Sequence, residues 1–467
     1  MGDLLSILSQ ASSSLGAHRT AAATAGQNIS NVNTPGYSRQ TANLEALTPT
    51  DLQGHGYIGR GVGIQSITQA RDSFLERQLP AALSSRSFSS TESDALQAVT
   101  TLDPDGAGGL TSALGEFYTA LRAVAQNPSD PGLRQAAVSA SQALTRTFNR
   151  TAQALAEGRN GVDAKVAGTI DDVNQTAAAM ADLNKQIRTA RAGGAEPNDL
   201  LDARQRMQDK LSQLTGAVPV ANAYGDVSMA LPGGASLVSD DRAAQLSAIP
   251  DPANGGHLGL QFRRADGTGP INLPTTGVGG LLGGAFAARD GALKSAENSL
   301  DTLAFDMANN LNAVHSAGFA ADGTTGHAMF TVGATAAGAA GSITLDAALA
   351  ANPSLLAAAT APGASGDNRN LLALINTERT ALSTGVDAGT AFRGIVTSFG
   401  ASSHRAQAMS QQDASLADHL NQMRESASGV SLDEEMINMT KAQRAFEAVS
   451  KVISATDQML DTLMSLK

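Results

Sequence analysis

Three glycines two residues apart, Gly59, Gly61 and Gly63 in GYIGRGVGI, have the alternating pattern of a loop that cradles phosphate. That chemistry also needs a Gly-Lys-Ser/Thr ending, or a following helix and a ribose-binding acid, and neither is present. A hairpin or bulge that needs positive φ accounts for the glycines. GGLLGG, Gly279 to Gly284, also lacks the lysine and reads as a linker between domains. DPDG, Asp103 to Gly106, opens like a calcium loop, but the twelfth position counted from Asp103 is Leu114, where a bidentate Glu is required. The seven His are scattered, with His315 and His327 flanking a turn, and there is no HExxH. Without Cys there is no thiolate for a transition metal or a disulfide. No G-x-S-x-G element and no Ser/His/Asp constellation can be assembled. No catalytic residue, cofactor or metal is expected.

The elements around these residues are of another kind. At 467 residues the chain is long for one core, and two to four domains are expected. Hydrophobic content is 42%, yet there is no Trp and only 12 Phe and 4 Tyr, so Ala, Leu, Val and Met carry the apolar load. Those residues suit close helix packing and long bundles. A net charge of −11 without a basic stripe argues against nucleic acid. No apolar run approaches ~18 residues, so no membrane insertion is expected. MGDLLSILSQASSS has no Lys or Arg before its short apolar stretch and is a poor secretory signal. Export would have to read something else.

Both ends of the chain carry a seven-residue repeat. Leu4, Leu8, Ala11, Leu15, His18, Ala22, Ala25, Ile29 and Val32 step in fours and threes, with His18 as a polar, register-setting intruder. Between Met1 and Gly36 the only formal charges are Asp3 and Arg19, too few to keep an isolated surface helix in water. At the other end Leu432, Met439, Phe446, Ile453 and Leu460 recur every seven residues. Ala442, Val449, Thr456 and Leu463 follow three later, and Met436, Val452, Met459 and Leu466 widen the stripe. Ser431 and Glu434 have the spacing of a capping box. The reading is a pair of coiled-coil helices that pack on each other and on neighbouring subunits.

Between the first helix and the rest lies NISNVNTPGYSRQ, residues 28–40. Asn28, Asn31 and Asn33 can bond backbone groups that the helix end leaves open. Pro35 and Gly36, followed by Tyr37, occupy type II turn positions. Three asparagines at one junction make sense for a turn buried between subunits.

GQNISNVNTPGYSRQ resembles the N-terminal motif of the bacterial flagellar axial family of rod, hook and hook-associated proteins. EEMINMTKAQRAFEAVSKVISATDQMLDTLMSL is similar to that family's C-terminal helix. In the middle, residues 108–149 form a helix, an NPSDP break and a second helix, and resemble the helical hairpin of the hook-associated branch. Residues 198–246 and 293–315 resemble the same branch.

The fold class that follows is mainly α with a smaller β part (α+β). Residues 1–36 and 430–467 would form a terminal coiled-coil polymerisation domain. Residues 37–215, 280–317 and 367–429 would form a helical-bundle body, and 216–279 with 318–366 an inserted, strand-like, β-rich outer domain. The resemblance implies a structural protein, not an enzyme, that joins hook to filament after leaving through the flagellum's own export channel. Its implied partners are copies of itself, the hook protein, the next junction protein on the filament side and a dedicated export chaperone.

The expected inter-subunit stripe is Leu4, Leu8, Leu15, Ala22, Ile29 and Val32 with Leu432, Met439, Phe446, Val449, Ile453, Leu460 and Leu463. The C-terminal stripe is a natural helix-in-groove target, and the resemblance puts the chaperone there, on Met436, Phe446, Ile453 and Leu460. Neither terminal helix buries its stripe alone, so both are expected to be mobile in the monomer and to order on docking. Each buried Leu, Ile or Phe contributes ~1.5–3 kcal/mol against ~1–2 kcal/mol of ordering cost per residue. A hook or rod subunit of the same family, and a generic coiled-coil adaptor, are the alternatives. A wall-cleaving enzyme would need paired carboxylates in a cleft, and the Gly- and Ala-rich middle offers none.

Overall fold

The first helix, α1 (Gly2–Ser30), stops where the asparagine-rich stretch begins. The computed structural model describes residues 2–51, 57–99, 102, 108–221 and 225–465; Asp103–Gly106 and Leu466 lie outside the described residues. After α1 the Tyr37 N–H donates to Thr34 O at 3.1 Å, and Gly36 has φ +73, as the second central residue of a type II turn requires. Strand β1 (Gln40–Ala46) then pairs antiparallel with β4 (Val62–Gln69), and β2 (Thr50–Asp51) with β3 (Tyr57–Ile58) extends the hairpin. A register shift at Asn43/Leu44 bends β1, and the hairpin packs along α1.

The body begins with α2 (Ser73–Gln97), whose first N–H groups bond the side chain of Asp72. Helices α3 (Leu110–Gln126) and α4 (Pro131–Ala192) flank the NPSDP break. Asp130 caps α4, accepting from Gly132 and Leu133, and Pro131 supplies the first-turn geometry. With no internal Pro, α4 continues for 62 residues, about 93 Å. Gly158 and Gly161, which weaken a helix locally, do not break it. Gly158 instead lets Val99 approach, since a Cβ there would lie 2.5 Å from Val99 Cγ2.

Helix α5 (Asn198–Thr215) ends on Gly216 in the left-handed region. Two antiparallel sheets follow: β5 (Val218–Ala221), β6 (Val227–Ala230), β7 (Ser236–Ser239) and β8 (Arg242–Ala243) in sequence order, then β9 (Gln245–Pro250), β10 (Leu258–Arg263) and β11 (Ile271–Leu273), with β10 central. They lean on α4 through β7, β8 and β9. GGLLGG is not a linker. It starts the buried helix α6 (Gly280–Ala287), which runs through a π-helical turn (Ala288–Leu293) into α7 (Lys294–Ala317). Gly283 and Gly284 are there because α6 packs directly on Phe88 of α2.

The stretch 318–366, read as strand-like, has little strand. It holds β12 (Phe330–Thr331), α8 (Ala339–Ser342), β13 (Thr344–Leu345) and α9 (Ala347–Ala351), with β12 and β13 paired. Its small residues are the reason: Ala339 and Ala340 are fully buried, and α8 packs between α4 and α7. Helices α10 (Arg369–Asn376), α11 (Ala388–Ser428) and α12 (Leu432–Ser465) complete the chain. The main core, with Phe117, Phe148, Leu155, Leu300, Phe330 and Phe392, joins α3, α4, α7, α11 and both sheets. A second small core sets Leu75, Leu79, Ala82 and Leu83 of α2 against Ala417 and Leu420 of α11. The fold is mainly α with a smaller β part.

Candidate functional site

The two ends of the chain meet. Helices α1 and α12 pack along each other, and they run antiparallel. The last turn of α1 touches the first turn of α12, and His18 to Ala25 face Asn438 to Ala445 across a cleft of ≈ 380 Å³. Ala11, Ala17, Thr24 and Ala25 are buried on α1, as are Glu435, Ala442 and Thr456 on α12. The small residues let the helices approach.

The predicted stripe lies mostly along this seam. Leu4, Leu8, Leu15, Ala22, Ile29 and Val32 are half-buried, as are Met439, Phe446, Val449, Ile453 and Leu460. Leu432 and Leu463, at the two ends of α12, are exposed. Other apolar side chains of the pair are exposed: Leu5 and Ile7 on α1, and Met436, Ile437, Val452, Met459 and Met464 on α12, the last 76% exposed. Of the four residues assigned to a chaperone, Met436 is exposed, while Phe446, Ile453 and Leu460 are half-buried against α1.

At the foot of this pair the turn, the body and α12 share one polar cluster. Asn28 is fully buried and makes every bond its amide allows. Its Nδ2 donates to Gln40 O at 2.8 Å and to Glu435 Oε2 at 3.0 Å. Its Oδ1 accepts from Gln40 N at 3.0 Å and from the Tyr37 hydroxyl at 2.8 Å. Glu435 also holds Arg39 Nε at 2.7 Å, and Arg39 Nη1 reaches Glu434 at 2.9 Å. Glu434, read as a capping-box residue, is thus an ion-pair partner.

The body contributes through the start of α5. Asp199 accepts from Gln27 and Gln40, and Asp202 from Ser38 N and Arg71 Nη2. Asn198 donates to Ile67 O and accepts from Gln69. Burial first, then the carboxylates of Asp199, Asp202 and Glu435, push the Tyr37 phenol up to about 12. The hairpin also touches α1. Gly61, with φ +89, lies so close that a Cβ would fall 2.8 Å from Gln10 O, which is the reason for that glycine in GYIGRGVGI.

The other junction residues do less. Asn31 donates to Gln27 O and accepts from Thr34 Oγ1, while Asn33, Thr34 and Pro35 are exposed. Of the three asparagines only Asn28 is buried within the subunit; the turn itself rims a cleft of ≈ 580 Å³ that residues 424–431 and the start of α2 close from the other side. Sequence reasoning missed Arg39, Gln40, Asp199, Asp202 and Glu435. Their one local signal is charge, a basic residue after the turn and an acidic run at the start of α12.

Among the described residues no group of His, Asp and Glu is placed to hold a metal ion, and no helix is long and apolar enough to cross a membrane.

Residues 96–330 match the family model described as the flagellar hook-associated protein FlgK helical domain, and 421–466 match that of the flagellar basal body rod FlgEFG protein C-terminal region. The chain is 32% identical to flagellar hook-associated protein 1 of Escherichia coli (strain K12) over 332 residues, 70% of this chain and 60% of that protein. It thus spans 60% of the length of that relative. The protein of the same name from Bacillus subtilis (strain 168) is 28% identical over 98% of this chain and 97% of its own. A solved structure, the flagellar hook junction protein FlgK from Burkholderia pseudomallei, superimposes with a TM-score of 0.69 at 20% identity, covering 75% of this chain and all of that one. That likeness is one of fold.

Proposed function

Because this chain belongs to the flagellar hook-associated protein FlgK family, a family of structural proteins and not enzymes, we propose that it is the subunit that joins the flagellar hook to the filament. The observation that carries this reading is the set of apolar side chains that the paired terminal helices leave exposed. Pairing α1 with α12 occupies the seam and leaves Leu5, Ile7, Met436, Val452 and Met459 in water. Exposed apolar rows on neighbouring helices need a partner, and each fully covered side chain contributes ~1.5–3 kcal/mol. Copies of the same chain, packed side by side as an inner tube, supply it. The stripe from Leu4 to Val32 and from Leu432 to Leu463 then holds together the stem that polymerises, with Asn28 to Tyr37 as the joint that sets its angle.

In this reading 1–36 and 430–467 form the polymerisation domain, 37–215, 280–317 and 367–429 the body, and 216–279 with 318–366 the outer part. The hook protein lies on one side and the next junction protein on the other. The chain reaches the extracellular flagellum through the flagellar export channel. A chaperone that grips Phe446, Ile453 and Leu460 displaces α1 as it binds, because α1 already covers their seam.

Deleting the gene tests the assignment. Hooks should remain, without filaments, and filament protein should appear in the medium. Cells that lose the hook as well would make the chain a rod or hook subunit, a reading that the rod-type match of 421–466 keeps in view.

A further inference from the structure

Arg134, one turn into α4, is 5% exposed and has no carboxylate partner among the described residues. Its Nε donates to Pro128 O at 2.7 Å, and its Nη1 to Leu356 O at 2.7 Å and Ser354 O at 3.3 Å. All three acceptors are neutral, and burial pulls the guanidinium below its usual pKa with no carboxylate to offset it. Two of the other arginines buried to this degree have an acid in contact, Arg159 with Glu297 and Arg289 with Asp163 and Asp290, whereas Arg204, its pKa also lowered by burial, bonds the neutral Asn184 Oδ1 and Gly225 O. A buried cation held only by carbonyls is costly, and a bound anion relieves that cost.

The remaining amino group, Nη2, has no hydrogen-bond partner among the described residues. Arg134 borders a cavity of ≈ 420 Å³ between the start of α4 and the segments 319–321, 352–359 and 363–365. No Asp or Glu lines that cavity, in a chain with a net charge of −11. Its walls are Phe319, Pro131, Pro353 and several alanines, with Ser129, Gln135, Asn352, Ser354 and Ser365 as further polar residues. A volume of this size falls in the range of small-ligand sites.

We propose that this cavity binds a carboxylate on a short aliphatic stem, with Arg134 Nη2 on the carboxylate and Phe319 and the two prolines around the stem. A Glu or Asp side chain from a neighbouring copy and a free organic acid share this chemistry.

The test uses the purified full-length chain, with butyrate as probe and ionic strength held constant with chloride. Butyrate should raise Tm saturably, with a half-point in the millimolar range, and sulfate at the same ionic strength should not. Arg134→Gln should abolish the response. Because that variant loses three carbonyl bonds, Gln135→Glu is the safer control. Gln135 is exposed at the cavity, and the new carboxylate should weaken the butyrate half-point at least tenfold while the fold is kept. A Tm response that never saturates, one matched by sulfate, or one unchanged in Gln135→Glu would overturn the proposal. Repeating the titration on assembled protein separates the sources. A neighbour's side chain leaves no response there, whereas a free acid gives the same response as in the monomer.

Discussion

Asn28, in the last turn of the first helix, donates at 3.0 Å to Glu435 in the first turn of the last helix, 407 residues along the chain. Both side chains are almost wholly out of water, at 0% and 2% exposure, so neither can exchange this bond for one to solvent. The two ends of the chain are therefore tied by a polar contact at one foot of the stem and by apolar contacts above it. The rest of the joint, Arg39, Gln40 and Tyr37, closes around the same two residues.

Removing Glu435 should loosen the stem selectively. Glu435→Ala leaves Asn28 Nδ2 and Arg39 Nε without their buried acceptor, a loss of about 2–4 kcal/mol. Glu434→Ala, at a side chain 61% exposed, should cost at most about 1 kcal/mol. Amide exchange should speed up in α1 and α12 of the first variant, while α3 and α4 keep their protection. Equal effects from the two variants would mean that the buried bond does not hold the stem.

Tyr37 makes the joint sensitive to alkali. Its pKa, raised from 10.0 to about 12, lies above the value in the unfolded chain. Between these values the unfolded state gives up a proton that the folded state keeps. The contribution is therefore whole below pH 10 and is lost as pH rises towards 12. Absorbance of the phenolate should show two tyrosines ionising near 12, Tyr37 and the buried Tyr118, and Tyr37→Phe should halve that step. Losing the bond to Asn28 should also cost about 1 kcal/mol at neutral pH.

His315 acts in the opposite direction. It is fully buried, with Nδ1 2.7 Å from His327 O and Nε2 accepting from Ala357 N at 3.1 Å, so it fits as a neutral ring. Burial holds its pKa below the ordinary 6.5. Below pH 6.5 the unfolded chain takes up a proton that the folded chain refuses. Stability is thus complete above 6.5 and declines as pH falls towards the folded value. Denaturant midpoints of the body between pH 8 and 5 should fall for the native chain and stay flatter for His315→Gln. Parallel curves would remove His315 from the account.

Gly284→Ala probes the α2–α6 contact. A Cβ there would run into the Phe88 carbonyl, which is backbone and cannot rotate away, so the cost should be about 3 kcal/mol, the upper end of overpacking. Gly168→Ala, in exposed helix with no atom within 4 Å of the new Cβ, should instead add about 0.5–1 kcal/mol. Thermal melts of the two variants should move in opposite directions.

What could be read from the residues alone was whatever repeats locally. The heptads of α1 and α12 and the capped NPSDP break follow from spacing, Pro placement and Asp130, whereas the Pro-free run after residue 131 fits one long helix or two, and α4 is one. The asparagine run announced that backbone at the end of α1 needed bonds, but Asn28 finds its partners at Gln40 and Glu435, and nothing near residue 28 encodes residue 435. Arg39 and Glu435 are 396 residues apart, and Gln40 and Asp199 are 159 apart. The stretch 318–366 misled for a related reason. Its Gly, Thr and Val content reads as turn and strand, yet its small residues, Ala339 and Ala340 among them, serve close packing between α4 and α7.

A charge in the seam of the stem and a charge among its exposed apolar side chains should act differently. Phe446→Asp and Leu15→Asp put a charge into the half-buried seam between α1 and α12, so they should unpair the helices within the monomer and abolish incorporation together. Val452→Asp and Met459→Asp change side chains that are 47% and 57% exposed. They should leave the monomer's helicity and melting unchanged and still block incorporation, because a neighbour would have to bury the new charge. Circular dichroism of the monomer and a motility assay read the two effects independently. Normal motility with Val452→Asp and Met459→Asp combined would mean that no subunit packs on these side chains. The seam would then be the whole function of the heptads.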